Sequence, residues 1–217
     1  LFTMLFVAGA RLRHLITIVL IGALAMVPIW KFGLKEYQQD RILGFLAQFT
    51  AAEAAHARGA HRQYGTASDY QLNRSKAAIG SGGLTGLGFG EGGQSAAGRV
   101  PERHTDFIFA VLANEWGLFG GLLLLVLWAL LLASILQAAR RQRDPAGRLL
   151  CVGVFAMLGA QAFINIAMTM GLMPIAGLTL PFISYGRSSL LVSLAAVALV
   201  CNVAARPSYE FGRGDFN

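Results

Sequence analysis

Residues 107–136 read FIFAVLANEWGLFGGLLLLVLWALLLASIL, and Glu115 is the one formal charge in the whole stretch. A spanning α-helix needs about 20 consecutive, mostly apolar residues, because the hydrocarbon core of a bilayer is about 30 Å thick. The run exceeds that length. Three further apolar runs, at residues 15–30, 149–173 and 190–205, approach or exceed it. A soluble protein of 217 residues would bury one or two such segments, not four. Hydrophobic residues make up 55% of the chain and charged residues 13%, against about 25% charged in soluble domains. The fold class that follows is all-α, a polytopic transmembrane helix bundle.

The formal charge of +7 suggests nucleic acid at first sight, but the cations do not share a face. Arg11 and Arg13, then Arg140, Arg141 and Arg143, then Arg206 and Arg213 sit beside the ends of the apolar runs. Short cytoplasmic loops retain Lys and Arg in this way, so the charge reports orientation and excludes a nucleic-acid partner. With these clusters inside, residues 15–32 cross outward and residues 33–105 form a large extracytoplasmic loop. Residues 107–139 return, 149–170 cross outward again, 171–187 form a short outer loop, and 188–205 end in a cytoplasmic C-terminal tail. Residues 1–217 then constitute one membrane domain. The chain opens on LFTMLFVAGA, too short to span, which predicts the C-terminal part of a longer protein. Cys151 and Cys201 lie in apolar runs, where a small hydrophobe is the plain reading.

Compact folds rarely carry structureless connections beyond about 12–15 residues unless they are functional or disordered, and residues 33–105 far exceed that. The middle of this loop has no apolar face. Its end holds nine glycines between Gly80 and Gly98, and such clustering allows the backbone to approach a ligand, or itself, closely. The glycines do not form a nucleotide motif: no Gly-Lys-Ser/Thr ending follows and no strand precedes them. His14, His56, His61 and His104 show no metal-ligand spacing.

The loop ends in PERHTDF, with Glu102, Arg103, His104, Thr105 and Asp106 at the edge of the longest apolar run. Two readings of Asp106 compete. Thr105 or Asp106 could cap a helix starting at Phe107, or the Asp106 carboxylate could serve as a general base at the membrane surface. Glu115 lies about two and a half turns into that helix, where an unpaired acid costs roughly 2–3 kcal/mol, so it must face protein or water. Gln161 and Asn165, four apart on one helix face, bond a neighbouring helix or line a polar cavity. Ser184 and Arg187 stand at the outer mouth, where a guanidinium could meet a phosphate or simply reach the interface.

Several separated segments together resemble one family. SKAAIGSGGLTGLGFGEGGQS from Ser75, PERHTDFIFAVLANEWG from Pro101 and GLTLPFISYGRSS from Gly177 are similar to the SEDS proteins (shape, elongation, division and sporulation). Ser75-Lys76, Arg103-His104-Thr105-Asp106 and YQQDR ending at Arg41 are closest to the RodA-like branch. The resemblance implies ten helices, of which this chain would hold the last four plus a stub. It implies a peptidoglycan glycosyltransferase that polymerises lipid II in cell elongation, in the bacterial inner membrane, with a class B penicillin-binding protein as partner. Asp106 takes the position of the family's essential acid and would deprotonate the acceptor sugar hydroxyl. Lys76, Arg41, Arg103 and Arg187 are the cations available to a leaving pyrophosphate. Gln94, Glu102, His104, Glu115 and Ser184 complete the expected substrate contacts. The motifs fix no cofactor; a divalent cation, Mg or Mn, would serve the same electrostatic end. A flippase for the lipid-linked precursor, or a scaffold for the transpeptidase, is the alternative.

The chain departs from the family's usual pattern at two places. Asn114-Glu115-Trp116-Gly117 stands where Glu-Glu-Leu-Gly is common, and Arg187 stands where a second Gly follows Tyr-Gly.

Overall fold

A computed structural model of the chain describes residues 1–33, 38–39, 42, 67–89 and 105–206. Six helices order these residues: α1 Phe2–Val7, α2 Leu12–Phe32, α3 Ala67–Ser81, α4 Ile108–Arg141, α5 Pro145–Met170 and α6 Arg187–Ala205. The described residues contain no strand. Helices α4, α5 and α6 are long and apolar enough to cross a membrane. At a rise of 1.5 Å per residue the 21 residues of α2 extend about 32 Å.

The three long helices form an antiparallel bundle. Leu124, Trp128 and Ile135 of α4 pack with Cys151, Val154, Leu158 and Ala162 of α5 and with Ala196, Val200 and Val203 of α6. The basic ends meet on one side, where Gln142, in the α4–α5 turn, donates to the carbonyl of Val203. Sequence chemistry fixes that turn. Asp144 caps α5 by accepting from the Gly147 amide at 2.9 Å, and Pro145 occupies a first-turn position whose amide has no helical partner. At the far end, Gly171 adopts the left-handed conformation (φ 79°, ψ 20°), and Leu172 N–H donates back to Ala167 O at 2.8 Å. This is the glycine stop common to helix C-termini.

Helix α3 lies inside the loop that the sequence leaves without regular structure. It is mostly polar and carries no apolar run, so hydropathy does not reveal it. What it buries is a narrow stripe, Leu72, Ser75, Ala78 and then Gly82, spaced by three or four residues. The stripe faces α4 and α5. Ser75 Oγ donates to Thr169 O at 2.8 Å near the end of α5. Asn114 Nδ2 on α4 donates to Ala78 O at 2.9 Å and to Ser81 Oγ at 2.8 Å, meeting the last turn of α3 where helix carbonyls lack partners.

Helix α4 is broken at Gly117 (φ 65°, ψ −160°). That conformation is essentially restricted to glycine. The break frees backbone groups on both sides, and the glycine turn after α3 satisfies them. Leu87 and Gly88 donate to the carbonyls of Asn114 and Glu115, while Leu118 and Phe119 donate to those of Gly83 and Leu84, all at 3.0–3.2 Å. A Cβ at Gly117 would run into Gly86 N and Leu84 O, and one at Gly86 into Glu115 O. The glycine cluster thus brings the chain close to itself, which is one of the two uses its composition predicts.

Candidate active site

Helix α4 begins at Ile108, with Phe107 in the N-cap position and no side-chain cap. Neither Thr105 nor Asp106 therefore occupies the cap, and that reading of Asp106 is corrected. Residues 105–107 instead form a turn whose anchor is Phe107, fully buried with Ala78 and Ala110 and packed on by Ile175. Asp106 is half-buried at this junction of α3, α4 and the 171–186 connection.

That connection is tied down along its length. Asn165, fully buried on α5, donates from Nδ2 to Asp106 O at 2.9 Å and to Leu178 O at 2.6 Å. Thr179 Oγ1 donates to Ser189 Oγ at 2.9 Å. Ser184 Oγ accepts from Leu180 N at 2.8 Å and donates to Thr105 O at 2.6 Å. Phe182 holds a positive φ of 68°, a conformation that costs a non-glycine residue about 1–3 kcal/mol. Its ring packs 6.1 Å from that of Trp128, which fixes the turn on the bundle. Gly177 lies against the acid: a Cβ there would sit 3.5 Å from Asp106 Oδ2.

The remaining expected residues distribute as follows. Lys76 lies across Gly171, where a Cβ would collide with its side chain, so its ammonium stands at the C-terminal end of α5. Helix C-termini attract cations, and with Ser75 bonded to Thr169 the Ser75-Lys76 pair has a structural use as a cap on α5. Ser184 is bonded to backbone on both sides, so it shapes the mouth. Arg187 opens α6 and is exposed, its Nη2 3.5 Å from Tyr185 Oη, so the bulk that replaces glycine there points away from the packed turn. Glu115 is half-buried on the wall of a separate cavity of about 360 Å³, with Thr85, Phe89, Trp116 and Phe119. Nine residues at 1.5 Å each place it about 13 Å along the chain from Asp106, so the two acids do not form a pair. Arg41, Gln94, Glu102, Arg103 and His104 lie outside the described residues.

Two residues that matter were not singled out as site residues. Asn114 donates to Ala78 O beside the Ser81 hydroxyl, a bond that an ionised carboxylate at this position could not make. Asn165 bonds backbone carbonyls of two other segments where a neighbouring helix was expected. A polar side chain near the end of an apolar helix, one of the pair Gln161 and Asn165, is the signal for it. Among the described residues no three His, Cys, Asp or Glu side chains converge as metal ligands would. An apolar groove of about 390 Å³ runs between α4 and α5, lined by Leu125, Trp128, Leu132, Phe163 and Ile166.

Comparison with known proteins agrees with this architecture. The chain is 38% identical over 209 residues to the probable peptidoglycan glycosyltransferase FtsW of Bacillus subtilis, covering 95% of this chain and 50% of that one. It is 39% identical over 200 residues to the peptidoglycan glycosyltransferase MrdB of Escherichia coli K12, covering 92% and 50%. A solved chain from a study of the structural coordination of polymerization and crosslinking by a peptidoglycan synthase complex superposes with a TM-score of 0.73 at 32% identity, covering 96% of this chain and 54% of that one. The chain spans about half the length of these relatives. Residues 1–209 match the FtsW/RodA/SpoVE family of cell cycle proteins, and this multi-pass membrane chain belongs to it.

Proposed function

We propose that the protein carrying this chain is a peptidoglycan glycosyltransferase that polymerises lipid II during cell elongation, with Asp106 as its general base. The observation that carries the reading is the placement of Asp106. Its carboxylate is half-buried beside Gly177, and its main chain is bonded to α5 through Asn165. Relatives at 38–39% identity bear the name peptidoglycan glycosyltransferase. In the proposed step Asp106 takes the proton of the acceptor sugar's C4 hydroxyl. The oxygen attacks the anomeric carbon of the donor, and the bond to undecaprenyl pyrophosphate breaks. A positioned base of this kind contributes about 10²–10⁴-fold to rate. Lys76 and Arg187 are the described cations that could face the departing pyrophosphate, and the apolar groove between α4 and α5 suits a prenyl chain.

The same reading places residues 33–105 and 171–187 outside the cell and the basic turns and C-terminus in the cytoplasm, following the distribution of arginines. It gives the protein a crosslinking transpeptidase, a class B penicillin-binding protein, as partner.

The test uses the intact protein reconstituted with lipid II and its partner. Asp106→Asn should lower polymer formation by about 10²–10⁴-fold while the melting temperature holds. Polymer formation at the wild-type rate would reject the base assignment. Movement of labelled lipid II between leaflets without polymer would replace synthesis by transport.

A further inference from the structure

Asn165 carries no charge and titrates nowhere near neutral pH, so no part of the proposed chemistry passes through it. Its placement is nonetheless demanding. The side chain is fully buried, and its amide nitrogen serves two carbonyls, Asp106 O and Leu178 O. Two acceptors fix the orientation of the amide, since turning it over would set Oδ1 against both. The consequence is that Oδ1 is buried with no hydrogen-bond partner among the described residues. A residue needed only for packing would not keep that arrangement, because leucine has a similar shape and strands no acceptor. What leucine cannot do is hold two carbonyls from two other segments.

We propose that Asn165 is a positioning residue for the Asp106 carboxylate, acting through the Asp106 main chain; the inference rests on reading Asp106 as the base. The carbonyl carbon and Cβ of Asp106 share one Cα, so fixing the carbonyl restricts the direction in which the side chain leaves. Ser184 supplies the second point of the same clamp by holding the carbonyl of Thr105, the preceding residue. Two consecutive carbonyls are thus gripped from two different elements, α5 and the turn before α6. Gly177 then leaves room for the carboxylate on the side where a larger residue would touch Oδ2.

The intact protein, assayed for lipid II polymerisation with its partner transpeptidase, tests this with Asn165→Leu and Asn165→Ser. Misplacing a reacting group by about 1 Å can cost about 10²-fold, so kcat should fall roughly 10–100-fold while KM for lipid II stays within about twofold. Serine keeps one donor and should lie between leucine and the native residue. Amide exchange in peptides covering residues 105–110 and 178–184 should rise in both variants. Asp106→Asn, run in parallel, separates the two ideas. If that variant stays active, the base reading falls and takes this inference with it. If it is inactive while the Asn165 variants keep wild-type kcat, or lose activity through KM alone, the base stands and the positioning role is overturned. Should Asn165→Leu not accumulate as folded protein, Asn165→Ser decides by the same criteria.

Discussion

The first stretch of α4, residues 108–116, is held at both ends, and the two ends use unlike materials. At the Gly117 break, four backbone hydrogen bonds join residues 83–88 to residues 114–119, and the surfaces meet where no Cβ fits. At the Asp106 end, an amide and a hydroxyl reach backbone carbonyls from residues remote in sequence. The seam depends on the absence of side chains and the clamp on the presence of two. A backbone seam fixes position but offers no group whose chemistry can be adjusted. A side-chain clamp can be retuned one atom at a time, which suits the end that carries the acid.

Changes at the two ends should therefore fail in different ways. The largest effect on stability belongs to the seam. Gly117→Ala puts a Cβ into Gly86 and Leu84 in a backbone conformation that alone costs about 1–3 kcal/mol. Thermal unfolding of the intact protein in detergent should show a loss of about 3 kcal/mol or more, and wild-type stability would mean the break is not held as described. Asn114→Leu removes both donations to α3 and leaves the Ala78 carbonyl with the Ser81 hydroxyl alone. Each lost hydrogen bond is worth about 0.5–1.5 kcal/mol, so the same assay should register about 2. Ser184→Ala, at the clamp, likewise loses two hydrogen bonds, from Leu180 N and to Thr105 O, and should cost a similar amount, about 2 kcal/mol. Its activity should nevertheless fall further than that of Asn114→Leu. The reverse order of activities would erase the distinction between seam and clamp.

What could be read in advance follows from what each feature writes into the sequence. Helices α4, α5 and α6 announce themselves by length and apolarity. Helix α3 did not, because it buries mostly small and polar residues, Ser75 and Ala78 among them, and such a stripe carries no hydropathy signal. The glycine run was legible as a close approach, but its partner was not, since Gly117 is one of several glycines in a long, mostly apolar run. Asp106 stood out as a charge at the edge of lipid. Its rival role as a cap disappeared only when α4 was seen to start beyond it. Asn165 stood out as a polar residue in an apolar helix, but its partners did not, since they are carbonyls, which every residue possesses.

The seam also has a consequence for how the chain can change length. Leu87 pairs with Asn114 and Leu118 with Gly83, so inserting or deleting one residue between the paired positions of either stretch puts two of the four pairings out of register with the other two. The shift would bring Leu84, Thr85 or Leu87 to a point where only glycine fits, although these three side chains now face outward and can be exchanged freely. Alignment gaps and inserted tags are thus barred from residues 82–88 and 114–119, while substitution is lenient at exposed Leu84 and Leu87.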